Sequence, residues 1–215
     1  PHNLESLLEA GVLFTATSIN QLKLFLAAKN RPQTVSVRIN PDMGQGHNKR
    51  TSTGGVGASF GIWHEYIPQL LQLTAEAGVT IHRLHIHVGS GADPSIWSSV
   101  MDRALTIVEQ LPSVGFLDIG GGYKVHRAGE EKEADMVAIT QAFSQRLQAF
   151  YERTGRKLHV EIEPGTYFIA HAGTLVAVVD DIVDTGANGY TFLRLNTGMN
   201  DFLRTALYGA QHNIE

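Results

Sequence analysis

The chain has 215 residues, 43% of them hydrophobic and 18% charged, enough for a sizeable core in one large domain or a domain plus part of another. Its net charge of -4 gives no electrostatic reason to bind nucleic acid or an anionic membrane. The absence of cysteine excludes disulfides and thiolate metal ligands, and no apolar run approaches the roughly 18–20 residues of a membrane span, so a cytoplasmic location is expected.

The chain opens without an initiator Met, inside a helical stretch from Asn3 to Ala10, and its first residues read as no signal peptide. It is expected to be a portion of a longer protein. Val12 to Ala16 reads as a strand. Ser18 then offers a hydroxyl N-cap to a helix near 19–29, with Leu22, Leu24, Phe25 and Ala28 on one side. Further strands are expected at 34–39, 81–87, 115–119 and 158–162, and helices at 64–78, 95–110 and 134–153. In the last helix Met136, Ile139, Phe143, Leu147 and Phe150 recur at helical spacing, as in an amphipathic helix lying on a sheet. Five β/α units of this kind imply a parallel sheet with right-handed crossovers, short of the eight that close a (β/α)8 barrel. Residues 41–58 are rich in Gly, Ser and Thr and are expected to form a lid or binding loop. After Gly173 the pattern changes. Leu175 to Val179, Ile182 to Val183 and Tyr190 to Leu195 are β-rich with no helix between them, so an antiparallel module is expected to begin near 174. The division is 1–173 for the partial barrel and 174–215 for the start of a β-rich second domain.

Three strands end in polar or glycine clusters, and in α/β folds that carboxyl end is where ligands bind. In Leu84-His85-Ile86-His87-Val88-Gly89-Ser90 the two imidazoles share a face, with His82 on the other. His87 could stack on an aromatic ring, His85 and His87 could bind Zn²⁺, or both could be hydrogen-bonded strand histidines. Gly120-Gly121-Gly122 allows successive N–H groups to converge on an anion, or forms a plain tight turn. Glu163 in Glu163-Pro164-Gly165 either sits beside a heteroaromatic nitrogen, with few solvent contacts, or caps the helical turn that follows. Arg204 could fork onto a carboxylate and Tyr208 offers an amphipathic ring, or the pair is a surface ion pair and a core Tyr.

These stretches, with Val37-Arg38-Ile39-Asn40-Pro41, Phe60-Gly61-Ile62, Ala172-Gly173 and Gly198-Met199-Asn200-Asp201, occur in an order that covers nearly all of the chain. Together they resemble the fold-III pyridoxal-phosphate decarboxylases, most closely the diaminopimelate decarboxylases. The resemblance implies a partial (β/α)8 barrel of the TIM type, with the five units here matching the family's last five. It implies a carboxy-lyase that uses pyridoxal 5'-phosphate to remove CO₂ from an amino acid, most closely meso-diaminopimelate to L-lysine in lysine biosynthesis. A homodimer with shared active sites is implied too. By position, His87 and Glu163 would be the catalytic pair, His87 stacking on the ring and Glu163 pairing with its nitrogen. Ser90, Gly120, Gly121 and Gly122 would hold the phosphate, with Arg38 in the supporting layer. Arg204, Tyr208 and Thr166 would form the substrate corner.

Several positions depart from the family. Its cofactor lysine lies upstream of Pro1, so the 215 residues alone are expected not to decarboxylate. Lys124 follows the triple glycine but reads as exposed. Thr166 stands where the family usually has Arg, Ser59 where Lys is common and Thr205 where Pro is common. Three further readings stand beside the first. They are a decarboxylase of another basic amino acid or a carboxynorspermidine-like substrate, a non-catalytic homologue that binds a partner, and a metal-dependent barrel hydrolase built on His85 and His87.

Overall fold

A computed structural model describes residues 3–44 and 53–215. Its elements alternate as the sequence pattern requires. Helix α1 spans Leu4–Glu9, strand β1 Thr15–Ala16, α2 Ile19–Ala27, β2 Thr34–Asn40, β3 Ile62–Trp63, α3 Ile67–Glu76 and β4 Thr80–His85. Then follow α4 at Pro94–Gln110, β5 Phe116–Asp118, α5 Met136–Thr154, β6 His159–Glu161 and α6 Gly165–Ile169. Strands β7 at Val179–Asp184 and β8 at Thr191–Leu195 precede the last helix, α7 at Arg204–Tyr208.

Strands β1, β2, β4, β5 and β6 lie side by side in that order, and β3 pairs with the far end of β2. Every neighbouring pair in this sheet is parallel. The order and the helical crossovers are those of part of an α/β barrel. Local chemistry starts and stops the crossovers. The Ser18 hydroxyl accepts the Gln21 N–H at 3.1 Å. Asp93 and Asp135 cap α4 and α5 in the same way, and α5 ends on Gly155 in the left-handed conformation. Leu22 and Phe25 are buried as expected, whereas Leu24 is exposed on the opposite side of α2. On α5, Ile139, Phe143 and Phe150 are buried, with Met136 and Leu147 packed against the core.

The strands are shorter than the hydrophobic runs suggest. Val12 and Leu13 are exposed and only Thr15–Ala16 pairs, because β1 is an edge whose N-terminal half meets no neighbour. The expected helix at 64–78 begins with a 3₁₀ turn at His64–Tyr66 before α3. Leu175 to Val178 does not join a strand, and β7 and β8 pair antiparallel in a sheet of their own. Of the loop at 41–58, residues 45–52 lie outside the described residues, as does any lid they form. Among the described residues no helix is long and apolar enough to cross a membrane.

One side chain ties three elements at the back of the sheet. The Arg156 guanidinium donates to the carbonyls of Val108, Leu111 and Val114 at 2.9, 3.0 and 2.9 Å. It also lies 5.7 Å from the centre of the Phe150 ring. Removing it leaves the C-terminal carbonyls of α4 and the next turn without their charged donor. Arg156→Met is expected to cost about 2 kcal/mol of stability, read as a lowered denaturant midpoint with an unchanged slope. An unchanged midpoint would show that water replaces the guanidinium without loss.

Candidate active site

Strand register builds one row across the sheet. Arg38 on β2 is opposite His85 on β4, His85 is opposite Asp118 on β5, and Asp118 is opposite Glu161 on β6. The residues one step back, Val37, Leu84, Leu117 and Val160, form the adjacent row and pack into the hydrophobic core. Alternation along the strands therefore presents Arg38, His85, Asp118 and Glu161 on the other side, at the carboxyl ends. Glu161 is ion-paired with Arg83, and Glu163 lies two residues beyond it.

The electrostatics of this row are set mainly by burial. Asp118 is buried, its carboxyl raised above the usual range by desolvation against the pull of the Gly120 N–H and Arg83. Its Oδ1 accepts that Gly120 N–H at 2.9 Å. His85 is driven down to about 4 by burial, then by Arg38, His87 and Arg83, so its imidazole is neutral at pH 7. Its Nε2 lies 3.6 Å from Glu163 Oε2, and with His85 neutral this is a polar contact rather than an ion pair. That Nε2 is itself buried and has no hydrogen-bond partner. Burial and then Asp118 raise the Glu163 carboxyl, with Arg38 opposing. The Glu163 side chain is nonetheless 58% exposed, more open to solvent than expected for a Glu beside a ring nitrogen. It does not cap α6, which has no side-chain cap. Arg38, 5.2 Å over the Phe60 ring, has its own pKa lowered by burial.

The triple glycine locks onto this row. The Gly121 N–H donates to His87 Nδ1 at 3.1 Å, which assigns the proton of the neutral ring to Nε2. His87, like His85, is depressed by burial and then by Arg38. Gly120 has φ +73° and a Cβ there would lie 2.6 Å from His87 Nδ1. A Cβ on Gly121 would overlap the Glu163 carbonyl oxygen, and one on Gly122 the Gly89 carbonyl oxygen. The Glu163 N–H in turn donates to the Gly120 carbonyl at 2.8 Å. His87, Gly121 and Glu163 thus converge at one rim.

Beside the rim lies a cavity of about 590 Å³. It brings together Ser90, Gly122, Thr166, Arg204 and Tyr208 from the residues singled out in the sequence. Arg38, His85, His87 and Glu163 do not line it. Arg204 Nε is buried without a partner, and its guanidinium lies 6.0 Å from the Tyr208 ring centre. Among the described residues Arg204 makes no ion pair, and Tyr208 is exposed rather than part of the core. Lys124 and Arg127 also line the cavity. Lys124 was expected to be exposed, yet its side chain is 15% exposed and lies 3.5 Å from Glu131. The loop at 124–131 lines the cavity, which no local pattern in it announces. Asp118 also escaped the sequence reading, because its importance rests on cross-strand register.

Among the described residues the two histidines do not fall in one group of metal donors. His85, Asp118 and Glu163 carry donor atoms within 4.8 Å of one another, but His87 is taken up by the Gly121 N–H and is not in that group.

Residues 2–170 match the family described as pyridoxal-dependent decarboxylase, pyridoxal binding domain. The chain is similar to diaminopimelate decarboxylase from Streptomyces coelicolor, 33% identical over 216 residues, which covers 98% of this chain and 48% of that protein. It is also similar to diaminopimelate decarboxylase of Escherichia coli K12, 27% identical over 212 residues, with 98% of this chain and 50% of that one covered. Among solved structures, diaminopimelate decarboxylase from Helicobacter pylori complexed with L-lysine superposes with a TM-score of 0.78 at 26% identity. That match covers 97% of this chain and 53% of the other. The chain spans about half the length of the curated relatives it matches.

Proposed function

The chain belongs to the pyridoxal-dependent decarboxylases, and from that premise we propose that the protein releases CO₂ from an amino acid, converting meso-diaminopimelate to L-lysine. The convergence of His87, Gly121 and Glu163 at one rim carries this reading. The residues fit a phosphorylated pyridine. The glycine turn packs against the carbonyls of Glu163 and Gly89 too closely for any side chain, which brings the strand ends together, and the carboxylate at the rim has a raised proton affinity. Pyridoxal phosphate supplies, when bound, a ring that accepts the electron pair left as CO₂ departs.

The residues divide the work. His87 offers the face of its imidazole, held in one orientation by the Gly121 N–H. Glu163, as a carboxylate, would pair with the ring nitrogen and favour its protonated form. Ser90 and Gly122, which line the cavity, would receive the phosphate, whereas the Gly120 and Gly121 N–H groups expected to join them are taken up by Asp118 and His87. Arg38 stands behind His85 and Glu163. Arg204 and Tyr208, with Thr166, receive the substrate, where an unpartnered guanidinium suits a carboxylate. Residues 1–173 form the cofactor domain and 174–215 begin a β-rich second domain. A homodimer that shares active sites, working in the cytoplasm, completes the proposal.

The test is an absorbance spectrum of the full-length protein with pyridoxal phosphate, then a screen of amino acids for evolved CO₂. CO₂ and lysine from meso-diaminopimelate are expected. A protein that binds the cofactor and decarboxylates none of the panel would overturn the assignment. His87→Ala removes a stacking face, and roughly ten-fold weaker cofactor retention is expected. Unchanged absorbance after dialysis would count against the stacking role.

A further inference from the structure

A phosphate monoester carries close to two negative charges near neutral pH. Enclosing it calls for cations as well as N–H groups. At the corner after Glu163-Pro164-Gly165 this chain has Thr166, which brings a hydroxyl and no charge. Across the same cavity stand Lys124 and Arg127.

Both cations are largely enclosed, with side chains 15% and 13% exposed. Both reach a single carboxylate, Glu131, at 3.5 and 3.6 Å. The backbone N–H of Arg127 donates to Glu131 Oε2 at 3.0 Å, so the loop closes on itself around that carboxylate. Glu130 lines the cavity as well, so Lys124, Arg127 and Arg204 face two carboxylates and the wall keeps a net positive charge. The base of the loop is fastened to the strand end that carries Ser90. The Lys124 N–H donates to the Gly91 carbonyl at 3.2 Å, and the Gly91 N–H donates to the Gly122 carbonyl at 3.0 Å. Lys124, Ser90 and Gly122 are thereby held together at one side of the cavity. His212 senses the same charge. Burial, and then Arg204 and Arg127, lower its pKa against the pull of Glu131.

We propose that Lys124 and Arg127, from the loop after the triple glycine, supply the positive charge that holds the cofactor's phosphate in the cavity they share with the uncharged Thr166. Glu131 positions the two side chains. This inference rests on the cofactor assigned above. It gives the loop at 124–131 a binding role that offsets the uncharged residue at 166.

The experiment compares the dissociation constants of pyridoxal phosphate and pyridoxal, which share the ring and differ in the phosphate, by absorbance titration of the full-length protein. In Lys124→Met and Arg127→Met, affinity for pyridoxal phosphate is expected to fall roughly ten-fold or more each, with pyridoxal unaffected. Lys124→Arg should keep the affinity, and Thr166→Arg placed in the Lys124→Met background should restore it. Inorganic phosphate should compete with pyridoxal phosphate in the wild type and more weakly in the variants. If Lys124→Met does not fold, Lys124→Gln, which keeps a hydrogen bond to Glu131, makes the same comparison. A ratio of the two affinities unchanged in folded variants overturns the proposal. A wild type that binds neither compound overturns the cofactor assignment and this inference together, a different result.

Discussion

Gly121→Ala is expected to lose cofactor binding by at least about a hundred-fold, while Gly165→Ala, in the adjoining turn, is expected to be near neutral. The difference comes from what a Cβ would meet. At Gly121 it would overlap the Glu163 carbonyl oxygen, a backbone atom that cannot swing aside. Either the glycine turn or the turn after β6 must move, and both are committed. Gly121 N–H holds His87, and Gly120 and Glu163 are joined by a backbone hydrogen bond of 2.8 Å. Overpacking of this kind costs about 3 kcal/mol, equivalent to roughly a hundred-fold in binding. A Cβ on Gly165 meets nothing within 4 Å, and Gly165 does not have a positive φ. The measurement is pyridoxal phosphate absorbance retained after dialysis, with thermal unfolding followed in parallel. A Gly121→Ala protein that keeps the cofactor as the wild type does would show that the close backbone approach is not needed.

The contrast between the two glycines marks how far the sequence could be read. Strand ends were legible because an apolar run that breaks into Gly, His-Val-Gly-Ser or Glu-Pro-Gly changes chemistry within two residues. The parallel order was legible from alternation with helices. What could not be read was which residues meet across strands. Arg38, His85, Asp118 and Glu161 are far apart in the chain and become one row only through register. Asp118 accordingly looked like part of an apolar strand, although it raises the proton affinity of Glu163. Lys124 was misread for a related reason. The segment from Lys124 to Glu131 is polar and has no period, the signature of a solvated loop, yet its ion pairs fold it over the cavity. Helix α7 was missed because five residues are too few to show a periodic pattern, and β3 because two residues are too few to show alternation. In β7 and β8 most side chains are exposed, so hydrophobicity marked the segments but did not set their limits.

The stability of the fold is expected to fall by on the order of 3 kcal/mol between pH 6.5 and 4 on account of His85 alone. The sign follows from the direction of the shift. Above about 6.5 the imidazole is neutral in both folded and unfolded chains, and the full stability is present. As the pH falls through that value the unfolded chain takes up a proton that the folded chain refuses until about 4. The unfolded state is favoured throughout that window, and below it this group contributes no further change. The groups that face the ring account for the refusal. Arg38 approaches from β2, Arg83 lies on the same strand and His87 follows it, while Asp118 from β5 and Glu163 after β6 supply the opposite charge. Asp118 and Glu163 have raised proton affinities of their own. Those two groups act in the reverse sense. Their stabilising contribution is present at low pH and is lost as the pH rises through their raised folded values. A wild-type curve alone therefore mixes opposing slopes. The difference between wild type and His85→Gln isolates the imidazole, since glutamine keeps a hydrogen-bonding group and does not titrate. Denaturant midpoints measured from pH 7 down to pH 4 should drop more steeply for the wild type than for the variant. Parallel curves would mean that folding leaves the proton affinity of His85 unchanged, and a wild-type curve shallower than the variant's that an ion pair with Glu163 raises it. With a neutral His85, the proton affinity of Glu163 is left to burial, Asp118 and Arg38.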